Sequence, residues 1–105
     1  MAVRVGGDTF EAEVLKAECV VLADFYSDSC VPCKRLSPVL AEFEEEYSDD
    51  IKVAKININF DMELAGKYDV QSVPTLVFFR NGEEISRLNG SIKKGEIVSA
   101  IENLK

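Results

Sequence analysis

The chain contains 105 residues, of which 47% are hydrophobic and 30% are charged, as is typical of one ordinary folded domain. The formal net charge of −7 argues against nucleic acid or an anionic membrane as a partner, because both require clustered basic residues. The chain has no histidine, which excludes His-based acid–base catalysis, His metal ligands and Cys–His nucleophile pairs. The N-terminus lacks the apolar region of a secretory signal, and no apolar run is long enough to span a membrane. We therefore expect a cytoplasmic protein.

The first half of the chain alternates between strand and helix patterns. Residues 3–5 predict a short strand, and residues 9–17 predict a helix with Asp8 as its N-cap. Residues 20–26 form a nearly continuous apolar run, which is typical of a strand covered on both faces. Across residues 32–47 the apolar residues recur at helical spacing, opposite a run of glutamates.

The second half continues this alternation and ends with a hairpin and a helix. The sequence predicts strands at 53–58, 76–79 and 84–88, helices at 61–68 and 95–104, and a tight turn at Asn81 and Gly82. The resulting order, β-α-β-α-β-α-β-β-α, indicates parallel pairing with an antiparallel hairpin at one end. We expect one α/β domain over residues 1–105, with a mixed five-stranded central sheet, helices on both faces and three layers.

The segment Cys30-Val31-Pro32-Cys33 lies between the long apolar strand and the helix that follows it. This spacing lets the two sulfurs meet at the first turn of a helix and predicts a redox-active pair. The helix N-terminus and the cation of Lys34 favour a thiolate at Cys30, which would attack a partner disulfide. Cys33 would then resolve the mixed disulfide. Pro32 lacks an N–H, which costs little in a first helical turn, and it stiffens the segment.

Other interpretations of the cysteines are weaker. A structural disulfide stabilises a chain by closing a long loop, and this loop is very short. A zinc site needs about four ligands, and the sequence has no second C-x-x-C and no histidine, so no metal is expected. A haem attachment site would require histidine where Lys34 stands. The third cysteine, Cys19, is expected to be a buried apolar thiol, with a regulatory or dimer-forming thiol as the alternative.

Asp24 stands in the middle of the apolar run, so its carboxyl group is expected to be buried and its pKa raised. Such an acid could move the proton of Cys33 when that thiol attacks. Lys55 lies in the neighbouring predicted strand. It either pairs with Asp24 or buries its stem while its amine reaches water.

Several segments together resemble the thioredoxin family in order and over nearly the whole chain. They are residues 21–26, 30–34, 73–75 and 78–82, together with Gly90. The resemblance implies the thioredoxin fold, a Cys30–Cys33 disulfide and reduction of disulfides in other proteins. It also implies a monomer with no cofactor of its own, recharged by a separate thioredoxin reductase.

The resemblance also implies roles for residues around the cysteines. Val73 and Pro74 would form a cis peptide bond against the pair, and Val73 would offer its backbone to an extended substrate. Gly90 would leave a flat spot where a partner approaches. The family usually has Trp-Cys-Gly-Pro-Cys, whereas Ser29 and Val31 stand here in place of its Trp and Gly.

Three functions remain open from the sequence. The first is a general protein-disulfide reductase, and the second is a dedicated electron donor to one reductase or peroxidase system. The third is a binding module that uses the fold without turnover or holds a metal. The intact pair of cysteines and Asp24 favour the first two.

Overall fold

The computed structural model describes residues 3–47, 50–90 and 92–104. Five strands form one sheet in the order β1-β3-β2-β4-β5. The strands are β1 (Val3–Arg4), β2 (Val20–Tyr26), β3 (Ile51–Asn57), β4 (Thr75–Arg80) and β5 (Glu83–Asn89). Helices α1 (Val31–Glu46), α2 (Met62–Lys67) and α3 (Lys94–Leu104) surround the sheet, together with the π-helical segment Glu11–Leu15.

The sheet is mixed, as expected from the sequence. β1 and β2 both run parallel to β3, whereas β4 is antiparallel to β2 and to β5. Tyr26 pairs with Asn57, Phe25 pairs with Thr75, and Thr75 pairs with Asn89. The ends of β2, β3 and β5 and the beginning of β4 therefore meet at one edge of the sheet, which we call the carboxyl edge.

Alternate residues of each strand enter two separate cores. In β2, Leu22 joins a core with α1 and α3, whereas Ala23 and Phe25 join a core with Leu64 of α2 and the π-helical segment. Side chains alternate between the faces of a sheet, so both faces of β2, β3 and β4 must be covered. This arrangement confirms the predicted α/β fold with helices on both faces of the sheet.

The predicted turn at Asn81 and Gly82 joins β4 to β5. Both residues have positive φ angles, 53° and 82°, as a tight hairpin requires. Glycine adopts this conformation without a steric penalty, and asparagine tolerates it better than most residues. The turn residues thus account for the antiparallel end of the sheet.

The predicted helix over residues 9–17 is shorter in the structure. The regular π-helical part covers only Glu11–Leu15, preceded by Phe10, and no side chain caps it. The predicted N-cap at Asp8 is therefore wrong. Instead, the Gly6 N–H donates to the hydroxyl of Thr9, and the Phe10 N–H donates to the Gly6 carbonyl. These two hydrogen bonds form a turn that leads into the helix without a capping carboxylate. No helix in the described ranges is both long and apolar enough to cross a membrane.

Candidate active site

Cys30 and Cys33 form a disulfide at the N-terminus of α1, close to the carboxyl edge. Cys30 is the N-cap of this helix, and its Sγ accepts a hydrogen bond of 3.1 Å from the backbone N–H of Cys33. Both residues are 8% exposed. An N–H aimed at sulfur at the positive end of a helix stabilises negative charge there.

The local sequence accounts for this geometry. Cys30 has extended backbone angles, which end the preceding loop, and Val31 begins the helix. Pro32 occupies the first turn, where its missing N–H costs little. The Lys34 N–H donates to the Cys30 carbonyl, and the Lys34 side chain is exposed. The helix therefore begins at the reactive pair, and Val31, the residue that follows Cys30, is 56% exposed.

Asp24 lies in β2 on the same sheet face as α1 and is 4% exposed. Its Oδ1 atom has no hydrogen-bond partner among the described residues. Burial raises the pKa of Asp24 from 3.8 to about 6, although the positive charge of Lys55 opposes this shift. A pocket of about 180 Å³ is lined by both Asp24 and Cys33. The structure thus brings a poorly solvated carboxyl group and the second cysteine to one small space.

Lys55 pairs with Asp24 across β2 and β3, so the two side chains share a sheet face. Its Nζ lies 5.1 Å from the centre of the Tyr26 ring, within the range of a cation–π contact. Lys55 is half-buried and lines the pocket that contains Asp24 and Cys33. The charge of Lys55 therefore lowers the pKa of Asp24, while the Lys55 amine lies over the Tyr26 ring.

A hydrogen-bonded loop, which the sequence analysis did not predict, precedes Cys30. The Asp28 N–H donates to Asn59 Oδ1 at 3.3 Å, and the Asn57 amide donates to Asp28 Oδ1 at 3.1 Å. The Asn59 N–H in turn donates to Asn57 Oδ1. These contacts join the end of β3 to the loop that carries the cysteine pair. Polar residues just after two adjacent parallel strands were the available clue.

The residues assigned to substrate contact by resemblance lie around the carboxyl edge. The Val73–Pro74 bond is cis and directly precedes β4. Gly90 follows β5, and its N–H donates to the Pro74 carbonyl at 3.3 Å. Its φ angle is +81°, and an added Cβ would meet no atom within 4 Å. Ser29 is exposed immediately before Cys30.

Cys19 lies outside this site, and its predicted burial is wrong. It is a free, exposed cysteine just before β2 begins. The apolar run begins one residue later, so Cys19 precedes the part of the strand that the two helical layers cover. Within the ranges that the structure describes, no group of cysteine, aspartate or glutamate residues could hold a metal ion.

This mixed sheet, with a disulfide at the start of the helix after its central strand, defines a thiol–disulfide oxidoreductase. The thioredoxin family model matches residues 2–103. Thioredoxin of Rickettsia bellii is 37% identical over 103 residues, which cover 98% of both chains. Thioredoxin 1 of Synechococcus elongatus is 33% identical over 97% of this chain and 95% of its own length. Thioredoxin of Pyropia yezoensis is 38% identical over 93% and 92%, respectively. The chain belongs to the thioredoxin family and is a dithiol–disulfide reductase.

Proposed function

We propose that the protein is a general reductant of protein disulfides, with Cys30 as nucleophile and Cys33 as resolving thiol. The Cys30 thiolate attacks one sulfur of the substrate disulfide, forms a new S–S bond and releases the other substrate sulfur as a thiolate. Cys33 then attacks Cys30, which frees the second substrate sulfur and leaves the Cys30–Cys33 disulfide. The substrate gains two electrons, and the cysteine pair loses them.

The observation that carries this proposal is the pocket shared by Asp24 and Cys33. A thiol must lose its proton before it attacks a disulfide. With a pKa of about 6, Asp24 is mostly ionised at neutral pH and is basic enough to take the proton of Cys33. Burial thus makes Asp24 a better proton acceptor than a solvated aspartate.

The substrate surface in this proposal comprises Ser29, Val73, Pro74 and Gly90. Val73 lies two residues before β4 at the carboxyl edge, where its backbone could pair with an extended peptide. Gly90 has open space where a side chain would begin. An extended segment could therefore lie against this edge without a steric clash.

Recharging and location are part of the same proposal. A thioredoxin reductase returns electrons to the Cys30–Cys33 disulfide, because the reaction consumes one dithiol for each substrate disulfide. The protein acts as a monomer in the cytoplasm, where thiols are kept reduced.

Exposed Val31 and Ser29 favour a second candidate, a dedicated electron donor to one reductase or peroxidase system. Their side chains flank Cys30 and would contact any partner that reaches it. A contact surface with an unusual shape can restrict the set of partners.

The deciding experiment is reduction of insulin by catalytic amounts of the protein, with dithiothreitol as electron source. A general reductase accelerates insulin reduction well above the dithiothreitol background. A dedicated donor shows little acceleration with insulin but full activity with one member of a panel of reductases and peroxidases. If insulin is the substrate, a Cys30→Ser variant that reduced it as fast as the wild type would contradict the first candidate. If one member of the panel is the substrate, equal rates of the two proteins with that member would contradict the second.

A further inference from the structure

Two large apolar side chains lie outside both cores, one in the loop after β3 and one at the start of α2. Phe60, in the loop, is 80% exposed, and Met62, the first residue of α2, is 75% exposed. Single exposed apolar residues are common on protein surfaces, but here two occur within three positions of the chain. Neither side chain belongs to a core, so packing within the chain does not explain why they are apolar.

This loop is joined to the segment that carries Cys30. The Phe60 N–H donates to the Asn57 carbonyl, and the Asn57 amide donates to Asp28, two residues before Cys30. Asn59, which directly precedes Phe60, accepts the Asp28 N–H. The Phe60 loop and the reactive cysteine therefore share one hydrogen-bonded frame.

Two neighbouring pockets between Phe60 and Cys33 share lining residues. Phe60 lines a pocket of about 340 Å³, which also includes Tyr26 and Lys55. Tyr26 and Lys55 also line the smaller pocket that contains Cys33. The larger pocket is further lined by two cations and two carboxylates, from Arg4, Lys55, Asp8 and Asp61. Because both signs of charge are present, the pocket itself has no clear preference for a cationic or an anionic ligand.

We propose that Phe60 and Met62, with the pocket beside them, form a second contact surface for disulfide-bearing substrate proteins. This surface takes an apolar side chain of the substrate while its disulfide lies at Cys30. The occupant is the substrate because the surface continues from the reactive pair, where that protein must sit. The proposal rests on the proposed reduction of protein disulfides.

The test compares a large and a small disulfide in Phe60→Ser, Met62→Ser and the double variant. Insulin can reach both the cysteines and the Phe60 loop, whereas 5,5′-dithiobis(2-nitrobenzoate) reaches only the cysteines. We expect the double variant to lose about tenfold in kcat/KM for insulin, mainly through a higher KM. Its rate with the small disulfide should stay within about twofold of the wild type. The small disulfide does not contact Phe60 or Met62, so their loss changes neither its binding nor its transition state.

Two variants provide controls. Glu63→Ser changes an exposed residue of the same region and should leave both rates unchanged. Phe60→Leu keeps an apolar side chain and should retain most of the insulin activity. An equal loss with both disulfides would overturn the proposal, because it would place the defect at the cysteine pair. Unchanged insulin kinetics in the double variant would also overturn it. A wild type inactive on insulin but active on the small disulfide would instead contradict the proposed reductase function.

Discussion

Asp24 combines two opposing electrostatic effects in one buried side chain. Loss of solvent disfavours its ionised form, whereas the nearby charge of Lys55 favours that form. The pKa rises from 3.8 to about 6, so desolvation is the larger effect. This rise in pKa means that folding favours the protonated form of Asp24 over the ionised form by roughly 3 kcal/mol. The carboxyl group suited to accept a proton is therefore also a destabilising element of the fold at neutral pH.

Replacement of Asp24 by asparagine should stabilise the protein at pH 8. A carboxyl group whose pKa is higher in the folded protein than in the unfolded chain stabilises the folded state most at pH values below the unfolded-chain pKa. This stabilisation is lost as the pH rises through about 6, the pKa of Asp24 in the folded protein. Because an amide carries no charge, we expect the variant to gain about 3 kcal/mol at pH 8 and only about 0.5 kcal/mol at pH 4. Urea denaturation of both proteins at the two pH values measures the difference.

The same substitution should slow disulfide exchange, since an amide cannot accept the proton of Cys33. Stopped-flow measurement of insulin reduction by the pre-reduced proteins provides the rates. Asp24→Asn that is less stable at pH 8 and exchanges at the wild-type rate would show that the carboxyl group is solvated and has no part in the reaction.

Replacement of Cys33 by serine should trap the substrate. The Cys30 thiolate can still attack a disulfide, but no second thiol is present at the helix N-terminus to resolve the adduct. We expect a covalent complex with insulin chains that dithiothreitol releases, detected by non-reducing gel electrophoresis and mass spectrometry. Cys30→Ser is the matched control and should form no such complex. Wild-type turnover by Cys33→Ser without an adduct would refute the two-cysteine mechanism.

At the scale of elements, two glycines differ in whether the backbone requires glycine at their position. Gly82 has a φ angle of +82°, and an added Cβ would lie 3.2 Å from the Leu15 carbonyl oxygen. Gly66 lies within α2, and an added Cβ there meets nothing within 4 Å. The first glycine serves the hairpin, whereas the second weakens a helix.

Substitution by alanine should therefore have opposite effects at the two positions. Gly82→Ala should lower the free energy of unfolding by about 1–2 kcal/mol, because an L-residue is strained at positive φ. Gly66→Ala should raise it by about 0.5 kcal/mol through greater helix propensity. Chemical denaturation under identical conditions measures both changes. A more stable Gly82→Ala would mean that the turn adopts another conformation.

Most elements of the fold could be predicted from the sequence because their local patterns agree with their tertiary environment. The apolar run of β2 is buried on both faces, and the turn residues Asn81 and Gly82 have the positive φ that they favour. The predicted helix over residues 9–17 was too long. Its apolar residues follow helical spacing, but this segment packs on the sheet as a short π-helical turn, and spacing alone does not distinguish the two.

Prediction of the site succeeded where chemistry depends on a local motif and failed where it depends on contacts between distant segments. The spacing of Cys30 and Cys33 is fixed by one helical turn, so the pair is visible in the sequence. The contact of Asp28 with Asn57 joins loops that follow different strands, and periodicity carries no information about it. The exposure of Phe60 could not be predicted from the sequence, because whether an aromatic residue is exposed is known only once the residues of the cores are known.

At the scale of the whole molecule, we expect a monomer under reducing conditions. The exposed thiol of Cys19 can join two copies when oxidant is present, because it lies outside both cores. Size-exclusion chromatography should give a monomer with dithiothreitol and a partial covalent dimer after mild oxidation. The Cys19→Ser variant should remain monomeric in both conditions. A reduced wild type that elutes as a dimer would contradict the expected monomer.

The two outer strands of the sheet affect how the molecule behaves in a crowded mixture of unfolded chains. Within the described residues β1 covers only Val3–Arg4, and these two residues offer few backbone groups for pairing with a foreign strand. β5 is longer, but Glu83, Glu84 and Arg87 place charges along it. Short or charged outer strands discourage amyloid-like growth from one molecule to the next. If its substrates are extended polypeptides, as proposed, such outer strands allow the protein to release them instead of adding them to its own sheet.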